Sequence, residues 1–157
     1  MLLIRSAQEL MEAFRPRDLR IFELPDADAY PLLVRDYRAW EESGGARVYL
    51  VYEDPETGAA RGVVFRRSES SLHGRLGHMC DWCHSTGSAD EIGLLTAEES
   101  ARRKVGVLVC SDLRCRERVE EAGDRAGRDV AASRRQLLER IARFANEALG
   151  MGREAIR

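Results

Sequence analysis

The chain has 157 residues, 44% hydrophobic and 33% charged, enough for one domain with its own core and too apolar for disorder along its whole length. Its net charge of −2 divides into 12 acidic and 7 basic residues over 1–60 and 15 acidic and 18 basic over 61–157, so neither half carries the strongly basic balance typical of nucleic-acid binding. No stretch approaches the ~20 apolar residues of a membrane span, and Arg5 and Glu9 break up any signal-peptide core near the start, which leads us to expect a soluble protein of the reducing cytoplasm.

Ser6-Ala-Gln-Glu9 has capping-box spacing ahead of Leu10, Met11 and Phe14, and Pro16 stops that first helix. A second helix is expected from about Asp28, with Leu33, Tyr37 and Trp40 on one face and Gly44-Gly45 at its end. The run Arg47-Val-Tyr-Leu-Val-Tyr-Glu53, the turn residues Asp54 to Gly58, and Gly62-Val-Val-Phe65 read as a β-hairpin. Ser68 to Gly74 is a polar connection containing His73, read as a surface residue. Two further short strands fall at Ile92–Leu95 and Val105–Val109. Beyond Cys115 a polar helix is weakened by Gly123 and Gly127, giving a short helix and then a loop. In the last helix Ser133 and Gln136 cap an apolar stripe of Leu137, Leu138, Ile141, Phe144, Ala145 and Ala148 that ends at Gly150. The expectation is one α+β domain over 1–157, a small antiparallel sheet with flanking helices.

Four cysteines in a reducing compartment point to metal or redox chemistry rather than disulfides. Cys80 and Cys83 are separated by two residues, Cys110 and Cys115 by four, and the pairs by 26. Zinc is bound tetrahedrally by thiolates, and a Cys-x2-Cys turn presents two sulfurs to one side. Gly77 and Gly87 bracket the first pair as in a zinc knuckle, and the second pair lies where a strand gives way to a helix. Knuckle, hairpin, and helix carrying the last ligand is treble-clef order, here at about 76–122. A redox pair would follow a strand in a βαβ setting, and a zinc deaminase would need His-x-Glu, which none of the three histidines begins. Four thiolates leave no open position for a catalytic water, so one structural zinc is expected and no enzyme.

Other residues carry competing readings. His78 and His84 flank the first pair and are alternative ligands, though four cysteines suffice. Trp82 is a partner anchor, a cover for the zinc, or an inward-packing residue. Arg102-Arg103-Lys104 is a contact patch or a solvated turn. Arg114, Arg116 and Arg118 interleave with Glu117, Glu120 and Glu121 as helical ion pairs. Lys104 is the only lysine among 25 basic residues, first a mark of a GC-rich genome, although arginine pairs bidentately with carboxylate or phosphate as lysine does not.

Phe65-Arg-Arg, then Met79-Cys-Asp-Trp-Cys-His-Ser85, then Gly106-x-x-x-Cys110-x-Asp-Leu-x-Cys115 together resemble the C-terminal treble-clef domain of the elongation factor G-binding proteins, which include fusidic-acid-resistance proteins of the FusB type. The resemblance implies a non-catalytic protein that binds elongation factor G and promotes its release from the ribosome. It carries over the four zinc ligands, and it directs attention to aromatic and basic residues beside the cysteine pairs, where this chain has Trp82, Ser85, Arg103, Lys104 and Leu108. No small-molecule substrate is expected. A zinc finger whose arginines meet RNA or the ribosome is the alternative.

Overall fold

The computed structural model describes residues 1–25, 30–68 and 77–151. His73 and Asp28, the expected start of the second helix, lie outside the described residues. Packing gathers the chain into two compact units, Met1–Phe65 and Arg66–Arg157.

The first unit opens with strand β1 (Leu2–Ile4) and helix α1 (Ala7–Glu12). Ser6 caps α1 by accepting from the Glu9 N–H at 3.2 Å, while the Glu9 carboxylate reaches back to the Arg5 N–H at 2.7 Å. A short 3-10 turn at Asp18–Ile21 follows Pro16. The next segment overturns an expectation, because residues 32–41 form strands β2 (Leu32–Val34) and β3 (Tyr37–Glu41) rather than one helix. Leu33, Tyr37 and Trp40 do recur at helical spacing, but a short apolar run fits either period. Partners decide it: β2 pairs antiparallel with β1, Ile4 opposite Leu32, and β3 with the following strand β4 (Arg47–Glu53), Trp40 opposite Tyr49. Leu32 and Val34 point into the core and Leu33 is left half exposed, as alternation on a pleat requires.

Strands β4 (Arg47–Glu53) and β5 (Ala60–Arg67) form the expected hairpin. Its turn is built on Asp54, whose carboxylate accepts from the Glu56 and Thr57 N–H groups at 2.8 and 3.2 Å and pairs with Arg61 at 3.0 Å. Ile4, Leu10, Phe14, Leu32, Val34, Tyr49, Val51 and Val64 form the core of this unit, each side chain contributing about 1.5–3 kcal/mol by leaving water. Phe14 lies on Gly62, whose N–H donates to the Ala13 carbonyl at 2.8 Å. A Cβ at Gly62 would come within 2.6 Å of the Phe14 ring. Glycine is required there by close approach.

In the second unit Arg66 and Arg67, at the end of β5, pair with Thr96 and Leu95 of β8 (Ile92–Glu98), and β8 pairs along its length with β9 (Lys104–Cys110). A two-stranded ribbon, β6 (His78–Met79) and β7 (Thr86–Gly87), holds the first cysteine pair. Helix α2 runs unbroken over Cys115–Ala126, longer than the expected short helix. Gly123 is buried inside it, close to Val130, and Gly127 ends it at φ 65°, a left-handed geometry that costs glycine nothing. Helix α3 (Val130–Arg143) is capped by Asp129, not by Ser133: the Asp129 carboxylate accepts from the Ala131 and Ala132 N–H groups, and Ser133 lies within the helix. The cap follows the left-handed turn at Gly127, which only the fold reveals. Leu137, Leu138, Ile141 and Ala145 of the expected stripe are buried, joined by Ala142 and Leu149, while a π-turn at Phe144–Ala148 leaves Phe144 and Ala148 half-buried. The fold class is α+β, with small antiparallel sheets and three α-helices among the described residues.

Candidate metal centre

Each cysteine pair sits in a tight turn docked on the β8–β9 hairpin. In the first, the Cys83 N–H donates to Cys80 Sγ at 3.4 Å, the His84 N–H to the Cys80 carbonyl at 2.9 Å, and the Cys80 N–H to the Ser85 carbonyl at 2.8 Å. His84 adopts φ 63° to close this turn. Asp81 fastens it to β9 twice: its N–H donates to the Leu108 carbonyl at 2.7 Å, and its carboxylate accepts from the Leu108 N–H at 3.0 Å.

The second turn leaves the end of β9 at Cys110. The Ser111 N–H donates to the Glu91 carbonyl, the Leu113 N–H to the Cys110 carbonyl, and Leu113 turns through φ 54° with its side chain buried. The Asp112 carboxylate accepts from the Arg114 N–H at 3.0 Å and takes both guanidinium nitrogens of Arg118, at 2.7 and 2.8 Å. That bidentate pair, foremost among the causes, holds the Asp112 carboxyl down at about 2. Cys115 is the first residue of α2.

The two turns bring the four sulfurs together, all within 4.8 Å of one another. Cys80 and Cys115 Sγ are 3.7 Å apart, Cys83 and Cys110 Sγ 3.5 Å. A tetrahedron with metal–sulfur bonds of ~2.3 Å has edges of about 3.8 Å, close to the two shortest of these separations, so the four thiols fit a zinc site. Cys80, Cys110 and Cys115 are buried and Cys83 is half-buried. Hydrogen bonding among the thiols, from Cys110 first, lowers Cys80 to about 7 and pulls Cys83 below the ordinary thiol range, while hydrogen bonding with Cys110, then with Cys80 and Cys83, and after these burial, push Cys115 up. Such a cluster shares its protons until a metal displaces them. Neither His78 nor His84 joins the four sulfurs.

The remaining singled-out residues separate by burial. Trp82 is 2% exposed, its ring 6.3 Å from that of Phe144, and its carbonyl accepts from Arg140 Nη1 at 2.8 Å. It packs inward and ties the first turn to α3, so an exposed anchor is not what it offers. Ser85 and Leu108 are half-buried, and Arg103 and Lys104 are exposed at the tip of the β8–β9 hairpin. The arginines after Cys110 pair in part as expected: Arg116 meets Glu117, but Arg118 turns back to Asp112, and Glu120 reaches Arg134 of α3. Sequence reading missed the roles of Asp81, Asp112 and Arg140, although Asp81 and Asp112 stand between ligands, where a carboxylate has backbone amides to collect.

Comparison with curated proteins finds no match. Among solved structures, the fusidic acid resistance protein FusC is similar, with 19% identity and a TM-score of 0.47 over 68% of this chain and 47% of that one; this chain spans less than half the length of that protein. No helix among the described residues is long and apolar enough to cross a membrane. The family model described as "FBP C-terminal treble-clef zinc-finger" matches residues 6–152. With the ribbon, hairpin and helix arranged around four sulfurs at zinc spacing, that match establishes that the chain belongs to the FBP C-terminal treble-clef zinc-finger family and holds one structural zinc ion.

Proposed function

We propose that this is a non-catalytic binding protein of the cytoplasm that docks on translation elongation factor G and favours its release from the ribosome. The observation that carries this reading is the pairing of a family-typical finger with a saturated metal site. Four thiolates drawn from sulfurs within 4.8 Å of one another occupy every position zinc offers, so the metal can shape a surface but has no place for substrate or water. The zinc, when bound, supplies cross-linking of the two turns. The chain's own residues do the rest: Asp81 locks the first turn to β9, Asp112 and Arg118 fix the start of α2, and Trp82 with Arg140 joins the finger to α3.

On this reading Arg103, Lys104, Leu108 and Ser85, all at least partly accessible, contribute to the docking face, with Trp82 as its support from beneath. Docking changes the ribosome-bound fraction of the factor only by the difference in affinity for its bound and free conformations. A titration of purified elongation factor G, followed by calorimetry at physiological salt, should give saturable binding that disappears with zinc removal. No binding at tens of micromolar would defeat the proposal.

A further inference from the structure

A groove of about 550 Å³ opens beside the half-buried zinc ligand Cys83, between the first cysteine turn and helix α2. Arg118, Arg125 and Arg128 line it, opposed by the single carboxylate of Glu121. Arg118 is committed to Asp112. Arg125 and Arg128 are exposed and make no ion pair among the described residues, whereas Arg116, Arg118 and Arg134 of the same helical pair are matched with carboxylates. Their placement is built into the fold. Arg125 is in the last turn of α2, and the left-handed Gly127 turns the chain so that the Arg128 N–H donates to the Gly123 carbonyl at 2.8 Å.

From this we infer that the groove between residues 83–86 and α2 receives an acidic segment of the protein partner, whose carboxylates pair with Arg125 and Arg128. The inference rests on the binding function proposed above and specifies the chemistry recognised. Two free guanidinium forks match carboxylates bidentately. A continuous phosphate backbone is the poorer fit, because RNA recognition calls for an extended basic face and, for single strands, aromatic stacking platforms, whereas the groove is lined by no Phe, Tyr or Trp, has the imidazole of His84 as its sole aromatic lining, and includes Glu121. Since Cys83 lines the same groove, an occupant also covers the accessible edge of the zinc site.

The test is a titration of purified elongation factor G into the full, zinc-loaded chain and into the Arg125→Glu/Arg128→Glu double variant. The double variant should bind roughly tenfold or more weakly, as expected when two interfacial charge pairs become repulsive. Arg135→Glu, an exposed change on α3 outside the groove, should stay within about twofold on the same argument. Zinc content by native mass spectrometry confirms the fold, and Arg125→Gln/Arg128→Gln replaces the reversal if that content drops. Complex formation should also slow chelator extraction of zinc from the parent chain and not from the double variant. Tight binding by both would overturn the groove alone. Absence of binding by the parent chain would overturn the elongation factor reading and this one with it. Salt-sensitive binding of an RNA oligonucleotide, lost in the double variant, would reassign the arginines to phosphate and overturn the acidic segment.

Discussion

Asp81 and Asp112 show how a carboxylate beside a metal ligand can matter without touching metal. Each spends its oxygens on the backbone or on an arginine of the element its turn must meet: the Leu108 N–H for Asp81, the Arg114 N–H and Arg118 guanidinium for Asp112. Asp81→Ala should leave zinc bound but more weakly, by about 10-fold in a competitive chelator assay, in line with losses on removing outer-shell partners of metal sites. Cys115→Ser is a different kind of change, since it removes a buried ligand. It should abolish stoichiometric zinc in native mass spectrometry and cost several kcal/mol, on the order of half of the ~10 kcal/mol that structural zinc contributes in isolated fingers. In the first unit, Arg15 and Asp18 pair at 2.9 Å with both side chains buried. Asp18→Ala leaves the guanidinium buried with fewer partners and should lower stability by about 3 kcal/mol in urea.

At the scale of elements, one close approach is sensitive to a single methyl group and one helix start to the loss of its cap. Gly62→Ala drives a Cβ into the Phe14 ring, and because Phe14 also packs at 4.7 Å on Phe22 and 6.1 Å on Trp40, the ring has little room to retreat. An overpacking cost of about 1–3 kcal/mol is expected, read as a lower denaturant midpoint with altered Trp40 fluorescence. Asp129→Ala should cost about 1 kcal/mol through loss of the α3 cap, whereas Ser133→Ala should cost less, because Ser133 is an interior residue of that helix. The comparison of the two measures directly which residue starts the helix.

For the molecule as a whole, zinc couples folding of the second unit to pH. Thiolates bind zinc and thiols do not, so protons compete with the metal, and affinity falls as pH falls. Asp112 adds a separate contribution of opposite origin to that of a group whose pKa is raised on folding. Its folded value of about 2 lies below the ~3.9 of an unfolded aspartate, so its stabilisation is present above the unfolded value and fades as pH drops through the folded one. The side chain is 46% exposed, which makes the contribution small. Stability lost between pH 7 and pH 5 therefore reports thiolate protonation, and should coincide with zinc release followed by a colorimetric chelator. Hydrogen exchange after chelation should rise through residues 78–126 more than through β4, whose residues Val48 to Tyr52 are all buried in the other unit.

The metal centre was legible in the sequence because its chemistry is local: two short spacings, a turn on each side, and residue types that have few other uses in combination. The α1 cap, the β4–β5 hairpin and the helix beginning at Cys115 were legible for the same reason, each being specified by neighbours within a few residues. Tertiary structure alone decided residues 32–41, where an apolar run compatible with helix became two strands because β1 and β4 supplied hydrogen-bonding partners. It decided Trp82 likewise, turning a candidate contact residue inward against Phe144 and Arg140, and it placed Arg125 and Arg128 together on one groove. Spacing along the chain can encode a turn and its ligands, but burial and pairing depend on which distant segments arrive, and that is settled only when the whole chain has packed.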